Sequence, residues 1–131
     1  KPVPVEITYG LERLCMFVQE KNNVFDLDWN NNGVKYKEVF FQAEKEFSAY
    51  NFEFANTDTL LKSFENTENE CKSLLEKKLS LPAYDQCLKA SHIFNLLDAR
   101  GVIGVAERTG YITRIRELAK GCGALWLSSQ N

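Results

Sequence analysis

From Tyr36 onward, nearly every apolar residue falls at the three-to-four-residue spacing of a helix face, and only one short run in the chain alternates instead. Tyr36, Val39, Phe40, Ala43, Phe47 and Tyr50 make one stripe, and Leu60, Leu61, Phe64, Cys71, Leu74 and Leu75 make a second. Asn56, Thr57 and Asp58 stand where a helix start needs a side-chain acceptor for its free N–H groups. Leu81-Pro82 interrupts the second stripe, and a proline in a first turn suits a new helix. That helix carries Tyr84, Cys87, Leu88, Phe94 and Leu97 and stops near Gly101. A last helix holds Ile112, Ile115, Leu118, Ala119, Cys122 and Trp126. Asn51 to Ala55 is too short and too aromatic to assign.

The exception is Val3 to Tyr9, where Val3, Val5, Ile7 and Tyr9 alternate with Pro4, Glu6 and Thr8. Period two predicts a strand that projects Glu6 and Thr8 from one side. Gly10 breaks it, a helix face of Leu11, Leu14, Cys15 and Val18 follows, and the asparagine-rich interval Asp28–Gly33 reads as a loop. A single strand cannot satisfy its own ladder hydrogen bonds, so it is expected to pair outside these residues. The expected fold class is therefore mainly α, with one N-terminal strand followed by a multi-helix C-terminal domain.

At 131 residues, 44% of them hydrophobic, the chain can enclose one real core. A net charge of −2 gives no general attraction to nucleic acid, and no apolar run is long enough for a membrane span. The opening Lys1-Pro2-Val3-Pro4-Val5 has no apolar h-region, so it is expected not to be a signal peptide. Cys15, Cys71, Cys87 and Cys122 form no C-x-x-C pair and are accompanied by one histidine, which argues against a zinc site. Each lies on an apolar helical stripe, so all are expected to be buried, reduced thiols in a cytoplasmic protein. Charge is uneven: Glu38 to Glu70 holds eight acids and two lysines, whereas Arg100 onward holds five basic residues and two acids. That basic end is a candidate tRNA or subunit surface or, more simply, a solvated helix face.

The residues densest in chemistry run Glu6-Ile7-Thr8-Tyr9-Gly10-Leu11-Glu12-Arg13-Leu14. An extended segment delivers a carboxylate and a hydroxyl to one side, a glycine permits close backbone approach, and a helix opens with an arginine. A guanidinium offers a planar donor fork that matches phosphate oxygens and stacks on flat rings. On these features alone the arginine could equally be solvated or paired with a nearby carboxylate.

Gly10-Leu11-Glu12-Arg13-Leu14 resembles motif 3 of the class II aminoacyl-tRNA synthetases, and Glu6 to Leu14 resembles the α subunit of the bacterial two-subunit (α2β2) glycyl-tRNA synthetases. Further ordered matches are Tyr50 to Ala55, Leu81 to Asp85, Leu88 to His92, Phe94 to Arg100, Glu107-Arg108, Tyr111-Ile112 and Arg114 to Arg116. Gly101, Gly104, Gly110 and the end Cys122 to Trp126 depart from the family pattern, away from the motif.

The resemblance implies the C-terminal part of such a subunit: residues 1–30 as the end of a class II catalytic domain, its strand belonging to the catalytic sheet, and 31–131 as an α-helical domain. It implies a ligase that activates glycine with ATP and Mg2+ to glycyl-adenylate and passes the glycyl group to its tRNA. By the same resemblance Arg13 is the catalytic and ATP-binding residue, with Gly10 beside it, and Glu6 and Thr8 grip glycine. Glu12 supports Arg13 or the helix start. No protein metal ligand is implied. The implied partners are the β subunit and a second α subunit, with no membrane, in the cytoplasm. Motif 2 is absent from the sequence, so these residues alone are expected to be inactive. His92 is expected to be a hydrogen-bonded structural residue, and Phe40, Phe47, Tyr50, Phe52 and Phe54 to be core. The alternative is a non-catalytic α-helical protein-interaction module.

Overall fold

A computed structural model describes residues 3–130; Lys1 and Pro2, which head the segment searched for a targeting signal, and Asn131 lie outside the described residues. In chain order the helices are α1 (Leu11–Val18), α2 (Tyr36–Ala49), α3 (Thr57–Glu76), α4 (Ser80–Ala99) and α5 (Val105–Ser128). A 3-10 turn at Val24–Asp26 precedes α2, and a π-helical turn at Tyr50–Phe54 follows it. Two units form, Lys1–Ala49 and Tyr50–Asn131.

The mainly helical class is as expected, but the strand is not observed. Val3 to Tyr9 forms neither helix nor ladder, and no strand occurs among the described residues. Val3, Val5, Ile7 and Tyr9 are all exposed. The cause is the one that made the run unusual in sequence: an isolated segment has no second strand to take its backbone groups.

In the second unit α3 and α4 pack as an antiparallel pair, and α5 lies against both. Asn56 caps α3 by accepting the Thr59 N–H at 2.9 Å. The two tight connections are alike in hydrogen bonding and differ in chemistry. After α3, Leu79 N–H reaches Leu74 O at 2.9 Å and Lys78 N–H reaches Leu75 O at 3.0 Å, with Lys78 at φ +62°. After α4, Val102 N–H reaches Leu97 O at 3.1 Å and Gly101 N–H reaches Asp98 O at 3.0 Å, with Gly101 at φ +67°. Both are Schellman endings. Only the second places the residue that enters the left-handed region without a Cβ penalty.

The core of this unit has two clusters. One centres on Phe64, Phe94 and Leu97, and the other on Cys71, Cys87, Leu118 and Cys122. Ile115 packs against both and joins them. Burying side chains such as Phe64 and Leu97, which have no exposed surface, contributes about 1.5–3 kcal/mol each. Between the layers lies an ionic group that periodicity did not reveal. Glu68, only 5% exposed, accepts from both Arg114 Nε (3.1 and 3.2 Å) and Arg114 Nη2, and from Lys72 Nζ at 2.9 Å. The Arg114 guanidinium also lies over the rings of Phe64 (4.7 Å) and Tyr111 (5.0 Å). Its hydrogen bonds hold the Glu68 carboxyl below the usual carboxylate range against the opposing effect of burial.

Three expectations about individual residues need correction. Cys71, Cys87 and Cys122 are buried free thiols, but Cys15 is exposed because α1 buries no residue of its apolar face. His92, expected to be hydrogen-bonded, sits exposed on the solvent side of α4, away from the positions of Cys87, Ala90 and Phe94, and its ring has no hydrogen bond among the described residues. The aromatic run is mostly not core. Phe40 is half-buried and Phe47 is exposed, because Phe25 and Trp29 cover only the first turns of α2; Tyr50, Phe52 and Phe54, in the π-helical turn, are exposed as well.

The basic end is largely engaged internally. Arg100 donates to Ala55 O at 2.8 Å, Arg108 pairs with Asp98 at 3.1 Å, and Arg114 holds Glu68. Arg116 and Lys120 remain exposed on α5. No described helix is long and apolar enough to cross a membrane.

Candidate functional site

All four residues singled out for chemistry lie in the first unit, at the start of α1. Gly10 is the N-cap, at φ −77° and ψ 112°, and its carbonyl accepts the Leu14 N–H at 3.0 Å. That backbone is open to any residue. A Cβ built at Gly10 would meet only the Arg13 Cβ, at 3.8 Å, so neither conformation nor crowding within this chain demands glycine there.

Alternation placed Glu6 and Thr8 on the same side, and they do meet: Thr8 Oγ1 donates to Glu6 Oε1 at 2.5 Å. Thr8, Tyr9, Gly10, Arg13, Leu14 and Phe17 line a shallow cleft of about 350 Å3. The structure thus brings Thr8, Gly10 and Arg13 onto one wall, with Glu6 attached through the threonine hydroxyl. Arg13 is exposed and forms no ion pair among the described residues. Its donor fork is available to an external anion.

Of the two roles expected for Glu12, support of Arg13 or of the helix start, its position fits the second. As the acidic residue of the first turn it complements the helix dipole. Its carboxylate turns to the other side of α1, where Oε1 accepts the Tyr36 hydroxyl at 3.4 Å. Loss of solvent around the phenol, reinforced by the Glu12 charge, raises the Tyr36 pKa above the ordinary tyrosine value. On that side Leu11, Glu12, Cys15, Leu27, Asp28, Trp29, Tyr36 and Phe40 line a second cleft of about 340 Å3. Helix α1 therefore sorts its side chains: Arg13, Leu14 and Phe17 face one cleft, and Leu11, Glu12 and Cys15 the other.

Sequence reasoning missed what fixes α1 in place. Gln19 uses both ends of its amide on the backbone of Asp28, accepting the N–H at 2.8 Å and donating to the carbonyl at 3.1 Å. Asp28 bonds Lys35 Nζ at 2.5 Å and forms an antiparallel bridge with Lys35, and that ammonium holds the Asp28 carboxyl below its ordinary range. Asn30 Oδ1 accepts the N–H groups of Asn32 (2.9 Å) and Val34 (3.3 Å). The asparagine-rich interval is thus a built turn, and the turn-forming habit of asparagine was the available signal.

Chemically, the first cleft presents one unpaired guanidinium, one carboxylate–hydroxyl pair and an uncrowded backbone bend. Such a set can bind an anion and an ammonium group side by side. Among the described residues, no three His, Cys, Asp or Glu side chains converge as metal ligands. Comparison with known families gives a match to one described as "Glycyl-tRNA synthetase alpha subunit" over residues 1–131. Since the match runs the full 131 residues and includes the cleft at the start of α1, the chain belongs to the glycyl-tRNA synthetase alpha subunit family.

Proposed function

We propose that, within this tRNA-charging enzyme, the cleft formed by Thr8, Gly10 and Arg13 is part of the site that activates glycine with ATP. The glycine carboxylate attacks the α-phosphorus, the bond to pyrophosphate breaks, and glycyl-adenylate forms. The glycyl group then passes to the terminal adenosine of the matching tRNA. No general base is needed, because the nucleophile is already ionised; the protein contributes positioning and charge. Arg13 contacts the γ-phosphate and lies along the adenine ring, as motif 3 of a class II synthetase. Gly10 lets the nucleotide approach the backbone. Glu6 receives the glycine ammonium, and Thr8, already bonded to Glu6, adds an acceptor and narrows the pocket. Filling that space is how a site rejects a methyl group, since the absent side chain of glycine offers nothing to bind. Magnesium enters with the triphosphate as substrate. The β subunit, a second α subunit and tRNA complete the assembly, in the cytoplasm.

The observation that carries this reading is Arg13, exposed and outside every ion pair of the described residues while its cleft-mates Thr8 and Gly10 stand beside it. The test is pyrophosphate exchange by the complete synthetase. Arg13→Ala is expected to lose about 2–4 kcal/mol of transition-state stabilisation, roughly 30- to 1,000-fold in kcat/KM for ATP. Near-normal exchange in that variant would overturn the assignment. Glu6→Gln is expected to raise KM for glycine and leave KM for ATP within about twofold.

A further inference from the structure

Helix α2 carries an apolar stripe that is covered for only part of its length. Tyr36, Val39, Phe40, Ala43 and Phe47 share one side of the helix at the i, i+3, i+4, i+7 and i+11 positions. At its N-terminal end Trp29 stands 6.2 Å from Tyr36 and 5.3 Å from Phe40, ring to ring. Beside that cover Val39 is already 43% exposed, and past it the stripe is bare: Ala43 is open to solvent and Phe47 is 67% exposed. A helix that needed only to close its own unit would have a polar side chain at position 47.

Each margin of the bare part carries one acid, with Lys37 lying on the Glu44 side at the N-terminal end. At about 100° per residue, Glu44 and Glu46 fall on opposite margins of the stripe, while Lys45 lies on the far face of α2. Neither Glu44 nor Glu46 forms an ion pair among the described residues. Glu46 only accepts the Gln42 amide, at 2.5 Å. Glu44 is close enough to the stripe for its charge to help raise the Tyr36 pKa.

We propose that the exposed Val39–Ala43–Phe47 stripe of α2 is a docking surface for an amphipathic helix of a different protein chain, one that carries arginine or lysine along the margins of its own apolar face. The bare stripe spans about 12 Å, two helical turns, enough for anchors at i, i+3, i+4 and i+7 of a partner helix. Complementary charge on the margins fixes register and partner choice. The same carboxylates disfavour three other occupants. A second copy of α2 would set Glu44 and Glu46 against their own counterparts, and nucleic-acid phosphates or an anionic bilayer would meet two unneutralised acids. The surface lies on a different helix from Arg13, so the inference stands independently of the ATP reading.

The test uses the 131-residue chain and two fluorescent helical peptides of about 16 residues. Both carry the same Leu/Ala stripe, bordered by arginine in one and by glutamate in the other, and binding is read by anisotropy at low salt. The chain is expected to bind the basic peptide at least tenfold more tightly. Glu44→Lys with Glu46→Lys is expected to invert that preference, and Phe47→Ser to weaken the favoured peptide at least tenfold with unchanged far-ultraviolet dichroism. Equal affinity for the two peptides, no binding of either, or a preference untouched by the charge reversal overturns the proposal. So does self-association in sedimentation velocity, or capture by vesicles of acidic lipid, that Phe47→Ser abolishes.

Discussion

Glu68 and Arg114 offer the sharpest test of how the second unit is held together. The Glu68 side chain is 7% exposed and receives three donors from two cations, while the Arg114 side chain is 39% exposed. Arg114→Ala removes both guanidinium bonds and the cover over Phe64 and Tyr111, and leaves a buried carboxylate with Lys72 alone. Breaking a buried pair by deleting one partner costs about 3–5 kcal/mol. The partial exposure of Arg114 and the surviving Lys72 reduce that, so about 2–4 kcal/mol is expected. Glu68→Gln keeps shape and one acceptor and is expected to cost about 1–3 kcal/mol. Replacing both with methionine removes the charges together and is expected to fall within about 1.5 kcal/mol of the parent. Urea titrations of the parent, Glu68→Met, Arg114→Met and the double methionine variant close a cycle that gives the coupling energy directly. A coupling below about 0.5 kcal/mol, or an Arg114→Ala midpoint equal to the parent's, would refute the claim that this pair organises the interface of α3 and α5.

The same pair sets an acid dependence. Arg114 depresses the Glu68 pKa below its ordinary 4.5, so its stabilisation is complete above that pH and is lost as pH falls through the lower folded value. The urea midpoint of the parent should therefore drop more steeply than that of Glu68→Gln below about pH 4.5, a difference that parallel slopes would rule out. Gly101→Ala must place a Cβ at φ +67° and is expected to cost about 1 kcal/mol, whereas Lys78→Gly relieves φ +62° and should cost nothing or stabilise slightly. Asn56→Ala removes the α3 cap and should cost about 1 kcal/mol by the same titration. Burial raises the Cys71 thiol to about 12 and the Cys87 thiol in the same direction, while Cys15 is exposed. Native alkylation at neutral pH should label Cys15 first, with peptide mass mapping as the check; early labelling of Cys71 would contradict the burial.

How much of this was legible depended on the range of the interaction. Helices α2 to α5 were readable because their stripes repeat within one element, and Asn56, Pro82 and Gly101 mark ends by local chemistry. The Glu6–Thr8 contact was readable for the same reason, since alternation spans two residues. What failed needed knowledge of a covering partner. Cys15, Phe47 and Phe54 have core-like patterns, yet burial requires a surface opposite, and periodicity does not say whether one exists. The strand failed likewise, since alternation specifies a face and never the neighbouring strand. Glu68 and Arg114 lie 46 positions apart, and nothing local in either identifies the other. The Gln19 clamp on Asp28 escaped because a glutamine at a helix end has no preferred target until the turn is built.

Which groups find partners within the chain bears on function. In the second unit Arg100, Arg108, Arg114 and Glu68 all have partners, and Phe64, Phe94 and Leu97 are enclosed. In the first unit Arg13, Glu44 and Glu46 lack ion-pair partners among the described residues, and α1 buries nothing. A sequence selected only for folding tends to make each local choice agree with the packed state, and departures concentrate where other demands act. An unpaired guanidinium beside an uncrowded bend, and an apolar stripe between unpaired carboxylates, are departures of opposite kinds: one asks for a small anion, the other for a basic helix. Both gain free energy only when something outside this chain arrives. Substitutions at Arg13, Glu44, Glu46 and Phe47 should therefore change binding while shifting the urea midpoint by less than about 0.5 kcal/mol equivalent, the reverse of what Glu68, Arg114 and Phe64 will show. A loss of stability at Arg13 comparable with that of Arg114→Ala would mean that the guanidinium serves the fold and would withdraw the ATP assignment; the same loss at Phe47 would withdraw the docking surface.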